Sequence, residues 1–145
     1  MIRLEHINRT FTVGDELVHG LDDVSLQLED GDYVSIMGPS GSGKSTLLNV
    51  LGLLDQPDGG RYFLNGDDVT QLSEQEQARV RREKVGFVFQ VFHLVPRLTA
   101  AENVALPLTL AGVPHEERDR RVNEVLASLN LTDRAHHRPD QLSGG

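Results

Sequence analysis

Gly38-Pro39-Ser40-Gly41-Ser42-Gly43-Lys44-Ser45-Thr46 fits the pattern G-x-x-x-x-G-K-[ST], and its flanks fit it as well. Before it, Tyr33-Val34-Ser35-Ile36-Met37 is a short, mostly apolar run that reads as a buried strand. After it, Thr46-Leu47-Leu48-Asn49-Val50-Leu51 reads as the first turns of a helix. A strand that feeds a glycine-rich turn and then a helix N-terminus aims several backbone N–H groups at one point. The helix dipole adds partial positive charge there, so the turn is suited to a polyphosphate. Gly41 and Gly43 permit backbone torsions and close approaches that a side chain would obstruct. Lys44 offers a compact positive charge to β- and γ-phosphates, and the Ser45 hydroxyl can ligate Mg²⁺. A flexible Ser/Gly linker shares the composition but not the strand and helix on either side. The stretch therefore points to an α/β fold built around a nucleotide.

Composition narrows the rest. The 145 residues make at most one domain, large enough to bury about two-thirds of its extended-chain surface. Fourteen basic against twenty-two acidic residues give a formal charge of −8, which argues against a nucleic-acid backbone as the main partner. With no cysteine, disulfides, thiol catalysis and thiolate metal sites are excluded. No apolar run approaches the roughly 20 residues of a membrane span, and the N-terminus lacks a signal-peptide core. A soluble, cytoplasmic chain is expected.

Outward from the loop, residues 2–13 and 17–28 read as an antiparallel pair of strands. Ile2, Leu4, Ile7, Phe11 and Val13 lie on the first, and Val24, Leu26 and Leu28 alternate with polar residues on the second. Gly14-Asp15-Glu16 and Glu29-Asp30-Gly31-Asp32 mark the turns that follow them. Asp55-Gln56-Pro57-Asp58-Gly59-Gly60 is a turn cluster, and Arg61–Leu64 a strand closed by Asn65-Gly66. Ser73 with Glu76 forms a capping box that opens a helix to about Arg82. Val85-Gly86-Phe87-Val88-Phe89 is a second buried-strand candidate, ending at Gln90. Thr99 with Glu102 opens a helix through about Leu110, which Pro107 is expected to kink or end. Pro114, at a first helical position, starts the last clear helix, with Val122, Val125, Leu126 and Leu129 on one face.

Taken with the phosphate loop, three further features resemble the ATP-binding subunit of ABC transporters. Gln90 closes an apolar run forty-six positions after Lys44, where the family places its Q-loop glutamine. Leu142-Ser143-Gly144-Gly145 matches the opening of the family's signature motif, and Phe11 stands where an aromatic residue stacks on adenine. Ser-Ile-Met-Gly-Pro-Ser-Gly-Ser-Gly-Lys-Ser-Thr and Val-Gly-Phe-Val-Phe-Gln look most like the lipoprotein-release and macrolide-export type. Taken alone, Phe11 is equally a core residue, Gln90 a polar strand end, and Ser143 to Gly145 a loop.

The resemblance implies an ABC ATPase core of the P-loop NTPase class, with an antiparallel β subdomain and a helical arm. Residues 1–98 would hold the β subdomain with the P-loop and Q-loop core, and 99–145 the arm leading to the signature. It implies Phe11 for adenine, Gly38, Pro39, Ser40, Gly41, Ser42, Gly43, Lys44, Ser45 and Thr46 for the phosphates of ATP, and Ser45 and Gln90 for Mg²⁺. Gln90 would also touch the attacking water. Leu142, Ser143, Gly144 and Gly145 would face ATP held by a second nucleotide-binding subunit, in a head-to-tail dimer. The stretch Phe92–Leu98 would dock a membrane-spanning permease, which places the chain on the cytoplasmic face of the plasma (inner) membrane.

The chain stops within the signature, before the family's Walker B aspartate, catalytic glutamate and switch histidine. It is therefore expected to be a C-terminally incomplete domain that binds ATP–Mg²⁺ without hydrolysing it, since a positioned base contributes about 10²–10⁴-fold. The rivals are a non-catalytic nucleotide-binding fragment and a non-transport ABC ATPase of DNA repair or chromosome maintenance. The short spacing from Gln90 to Ser143 speaks against the latter. Adjacent His136 and His137 lack a third ligand and read as a solvated loop, as do the arginines around Arg79 and Arg118 as solvated helix faces.

Overall fold

The computed structural model describes residues 1–143 and divides into two compact units, Met1–Val88 and the residues from Phe89 onward. The first unit carries strands β1 (Ile2–Val13), β2 (Glu16–Leu28), β3 (Gly59–Leu64) and β4 (Asp67–Asp68). Its helices are α1 (Lys44–Leu51) and α2 (Glu74–Lys84). The strands form one antiparallel sheet in the order β2-β1-β3-β4.

A bulge lets β1 bury residues of unlike parity. The register shifts between Leu4 and Ile7, and His6 takes a φ of 52°, so both aliphatic side chains reach one core at 1% and 0% exposure. Polar side chains satisfy the interrupted ladder. The His6 amide donates to Ser25 Oγ at 2.9 Å, and the Asp23 amide donates to Asn8 Oδ1 at 2.9 Å. Leu4, Ile7, Leu21, Val50, Leu53, Tyr62, Leu64 and Val69 form the core, which joins the sheet to α1. The Tyr62 hydroxyl donates to the Leu51 carbonyl at 2.8 Å and thereby satisfies an acceptor at the end of that helix. The Ser73–Glu76 capping box forms as the sequence predicts, and α2 runs two residues past the expected end.

Two expected strands do not form. Residues 33–37 and 85–89 lie outside the sheet, and neither has a ladder partner among the described residues. Both runs are mostly apolar, but an apolar run becomes a strand only where another strand takes its N–H and C=O groups. Tyr33 and Met37 are accordingly exposed, at 100% and 87%. Val85 instead caps α2, and the Phe87 ring lies against Gly52, where a Cβ would meet it at 2.2 Å. The helix after the phosphate loop begins at Lys44, two residues earlier than expected.

The second unit holds α3 (Ala100–Leu110) and α4 (His115–Ser128), followed by short 3₁₀ turns at Thr132–Arg134 and Pro139–Gln141. Thr99 and Glu102 complete their capping box. Pro107 lies inside α3 without ending it. Pro114 is the N-cap of α4 rather than its first residue, and of the four residues expected on one face only Val122 and Leu126 are buried. Val125 and Leu129 are exposed, because the helix buries a narrower stripe than the sequence pattern offers. No helix among the described residues is long and apolar enough to cross a membrane.

Candidate functional site

The phosphate loop owes its shape to local chemistry. Gly41 and Gly43 take φ values of 80° and 82°, in the left-handed region that favours glycine. Gly43 is the N-cap of α1, and its carbonyl accepts the first helical bond, from the Leu47 amide at 2.8 Å. No side chain caps this end. The first amides of α1 therefore have no acceptor within their own helix and are arranged to meet an anion at its positive end. The Lys44 ammonium spans the loop, donating to the carbonyls of Gly38 at 2.9 Å and Pro39 at 2.6 Å, with Ser42 Oγ at 3.3 Å. A lysine held in this way fixes the loop's curvature and keeps its charge inside it.

The loop forms one wall of a cleft of about 290 Å³. Ser40 to Thr46 line it together with Phe11, Val18, His19 and Gly20 from the first two strands. Lys44 is the only lysine or arginine among the described residues that line it. Phe11 is 36% exposed, so part of its ring is open to a ligand. The ring lies across Gly20, where a Cβ would stand 2.6 Å from Phe11 Cε2 and 3.1 Å from Thr46 Cγ2. Gly20 falls where the register slips from Arg9–Leu21 to Thr10–His19, so it is the extra residue of a bulge. An aromatic surface and a phosphate-binding turn thus share one cleft, a combination that suits a nucleotide triphosphate.

Residues 21–145 match the family model described as ABC transporter. The chain belongs to the ABC transporter family. It is 50% identical over 145 residues to a macrolide export ATP-binding/permease protein MacB of Vibrio parahaemolyticus, covering all of this chain and 22% of that protein. It is 49% identical to an uncharacterized ABC transporter ATP-binding protein of Thermotoga maritima, covering all of this chain and 62% of the relative. The chain thus spans about a fifth of the one and under two thirds of the other. Among solved structures, a dimeric ATP-binding cassette in a post-hydrolysis state bound to ADP and Pi superposes with a TM-score of 0.87 at 44% identity. That match covers 99% of this chain and 64% of the cassette. The fold is therefore that of an ABC ATPase cassette.

Within this ABC-family chain the remaining candidates lie in the second unit. Gln90 is exposed. Leu142 is half-buried behind the last 3₁₀ turn, its amide donating to the Pro139 carbonyl at 3.2 Å, and Ser143 follows it. Gly144 and Gly145 lie outside the described residues. Along Phe92–Leu98, Phe92 is 64% and Leu94 42% exposed, and the stretch is tied to α3 by one side chain. Asn103 Oδ1 accepts from the Val95 amide at 2.8 Å, and its Nδ2 donates to the carbonyls of Leu98 and Thr99 at 3.1 and 3.0 Å. Among the described residues no group of three or more His, Cys, Asp or Glu could hold a metal ion. Ser45, exposed in the first turn of α1, is the donor beside the phosphate loop that suits Mg²⁺. Magnesium fits as an ion brought in on phosphate oxygens, which is how it usually binds nucleotide sites.

The sequence alone did not reveal Val18, His19 and Gly20. A signal was present: counting the hairpin outward from Gly14-Asp15 sets Phe11 opposite Val18 and brings these residues to the same end of the sheet.

Proposed function

We propose that this chain binds ATP with Mg²⁺ as the energy-coupling part of an ABC-type exporter. The observation that carries the reading is the single cleft shared by Phe11, Lys44 and the N-terminus of α1. The adenine would stack on Phe11. Amides of residues 41–46 and the Lys44 ammonium would hold the phosphates, after the ammonium gives up its carbonyl partners. The Ser45 hydroxyl would ligate Mg²⁺, whose contribution when bound is to neutralise charge on the β- and γ-phosphates. Gln90, at the place of the family's Q-loop glutamine, is assigned as a magnesium and water contact by that resemblance. The 145-residue stretch is proposed to hold the nucleotide without hydrolysing it.

Macrolide export in the name of the Vibrio relative and the dimeric cassettes among the solved structures support the wider reading. We assign Leu142, Ser143, Gly144 and Gly145 to the nucleotide of a second, head-to-tail subunit. Phe92–Leu98 is assigned to a permease at the cytoplasmic face of the inner membrane, a helix-in-groove contact.

Calorimetry tests the central claim. Mg-ATP is expected to bind, and Lys44→Ala to weaken it by at least about tenfold, the effect of losing a charge-assisted bond. Uptake that is absent in a folded sample, or indifferent to Lys44, overturns the proposal. For docking, Phe92→Asp and Leu94→Asp should abolish co-purification with the membrane partner while ATP binding survives; unchanged co-purification counts against it.

A further inference from the structure

Arg9 sits two residues before Phe11 and folds back onto it. The guanidinium carbon lies 4.8 Å from the Phe11 ring centroid. All three of its nitrogens are anchored. Nε donates to Asp55 Oδ2 at 2.8 Å and Nη2 lies 2.8 Å from Asp55 Oδ1, a two-pronged carboxylate contact. Nη1 donates to Asp58 Oδ1 at 2.7 Å. Asp58 also grips the strand itself, because its Oδ2 accepts from the Thr10 amide at 2.6 Å, one residue before Phe11. The Asp58 amide donates in turn to the Asn8 carbonyl at 2.8 Å.

The two carboxylates come from the turn after α1, far along the chain, and Asp55 also accepts from the Gln56 amide at 2.9 Å, which fixes the carboxylate that Arg9 meets. The Arg9 side chain is 24% exposed and Asp55 equally so, which shields the pair from solvent screening better than a surface contact. The Thr10 amide first and Arg9 second hold the Asp58 carboxyl below its ordinary range, and Asp55 first raises the Arg9 guanidinium. Arg9 and Asp58 are therefore both charged at neutral pH. Phe11 lines the cleft and Arg9 does not, so Arg9 stands behind the ring.

We propose that Arg9, held by Asp55 and Asp58, is a positioning residue that backs one face of the Phe11 ring and so presents the other to a nucleotide base. This rests on the nucleotide reading above. A planar cation on one face attracts the ring and fixes its rotation, while Gly20 leaves room for the ring edge. The predicted consequence is selective: base recognition depends on Arg9, whereas phosphate recognition does not.

The experiment uses the full-length protein and two probes, Mg-ATP and Mg-tripolyphosphate, titrated by calorimetry into the unaltered protein, Arg9→Gln, Phe11→Ala and the double variant. Arg9→Gln is expected to weaken ATP by about three- to tenfold, and Phe11→Ala by about five- to a hundredfold. Tripolyphosphate affinity should stay within about twofold in every variant, and the double variant should match Phe11→Ala alone. Should Arg9→Gln fail to fold, Asp55→Asn keeps the cation while loosening its two-pronged anchor and should show the same selective loss. Equal losses for both probes, no loss of ATP, or additive losses in the double variant overturn the proposal. Absence of ATP binding to the unaltered protein overturns the nucleotide reading and this inference with it, whereas binding that ignores Arg9 overturns this inference alone.

Discussion

Gly43 and Gly20 face each other across the cleft's inner wall: a Cβ on Gly43 would stand 2.2 Å from the Gly20 carbonyl oxygen. The phosphate loop and the bulge of β2 therefore meet backbone against backbone at this point. Two side-chain-free positions, distant in sequence, set how deep the loop lies beneath Phe11. The arrangement links turn chemistry at one site to strand irregularity at the other.

Gly41 and Gly43 make the contact testable, because they share a left-handed φ but not a neighbour. Nothing lies within 4 Å of a Cβ on Gly41. Gly41→Ala should cost only the torsional strain, about 1–2 kcal/mol. Gly43→Ala adds a backbone collision that no side-chain rotation relieves. It should lower the melting temperature further than Gly41→Ala and weaken Mg-ATP by more than about tenfold. Paired melting and titration curves check the order; equal effects would deny the Gly20 contact any role.

Tyr62 gives a pH test of the junction between sheet and α1. Burial pushes its phenol up to about 12 from the ordinary 10. A group whose folded value is raised contributes stability in full below its unfolded value and loses it as pH rises through the folded one. Stability should therefore fall between about pH 10 and 12, and Tyr62→Phe should flatten that limb in denaturant titrations. At pH 7 the same variant leaves the Leu51 carbonyl without its donor and should cost about 1–3 kcal/mol.

Glu117 supplies the acid counterpart. Hydrogen bonds from Arg120 first and Arg121 second hold its carboxyl down to about 2, from the ordinary 4.5. A lowered folded value means support that is complete above pH 4.5 and lost as pH falls toward 2. Helicity of the second unit should decline over that window at low salt. Glu117→Gln should shrink the decline, and added salt should mute it in both proteins, since these charges face water.

The phosphate loop, both capping boxes and the β1–β2 hairpin were legible in the sequence because each depends on chemistry within a few residues. Ser73 needs only Glu76, and Lys44 only the carbonyls of its own turn. What escaped depends on distant partners. Residues 33–37 and 85–89 have strand composition, but pairing is a property of two segments, and composition reports only one. The bulge at His6 was hidden because Leu4 and Ile7 look out of phase until the extra residue is known. Nothing near Arg9 in the sequence marks its role; Asp55 and Asp58, which make it a clamp, arrive only when the turn after α1 folds beside β1.

Asn103 tests whether Phe92–Leu98 works as a shaped surface or only as an apolar one. The residues flanking its contacts are exposed, and His93 takes a φ of 48° with its ring set edge-on to Phe89 at 4.7 Å. Besides a turn bond from the Leu98 amide to the Val95 carbonyl, the stretch is braced by one amide side chain, which accepts from the Val95 amide and donates to the carbonyls of Leu98 and Thr99. Asn103→Ala removes that brace without altering any apolar residue on the surface. If shape matters, co-purification with the proposed membrane partner should drop severalfold and the Val95 amide should exchange faster with deuterium. Mg-ATP affinity should stay within about twofold, because the cleft is built from residues of the first unit. Faster exchange with undiminished co-purification would mean that the partner recognises the apolar side chains alone and moulds the stretch as it binds.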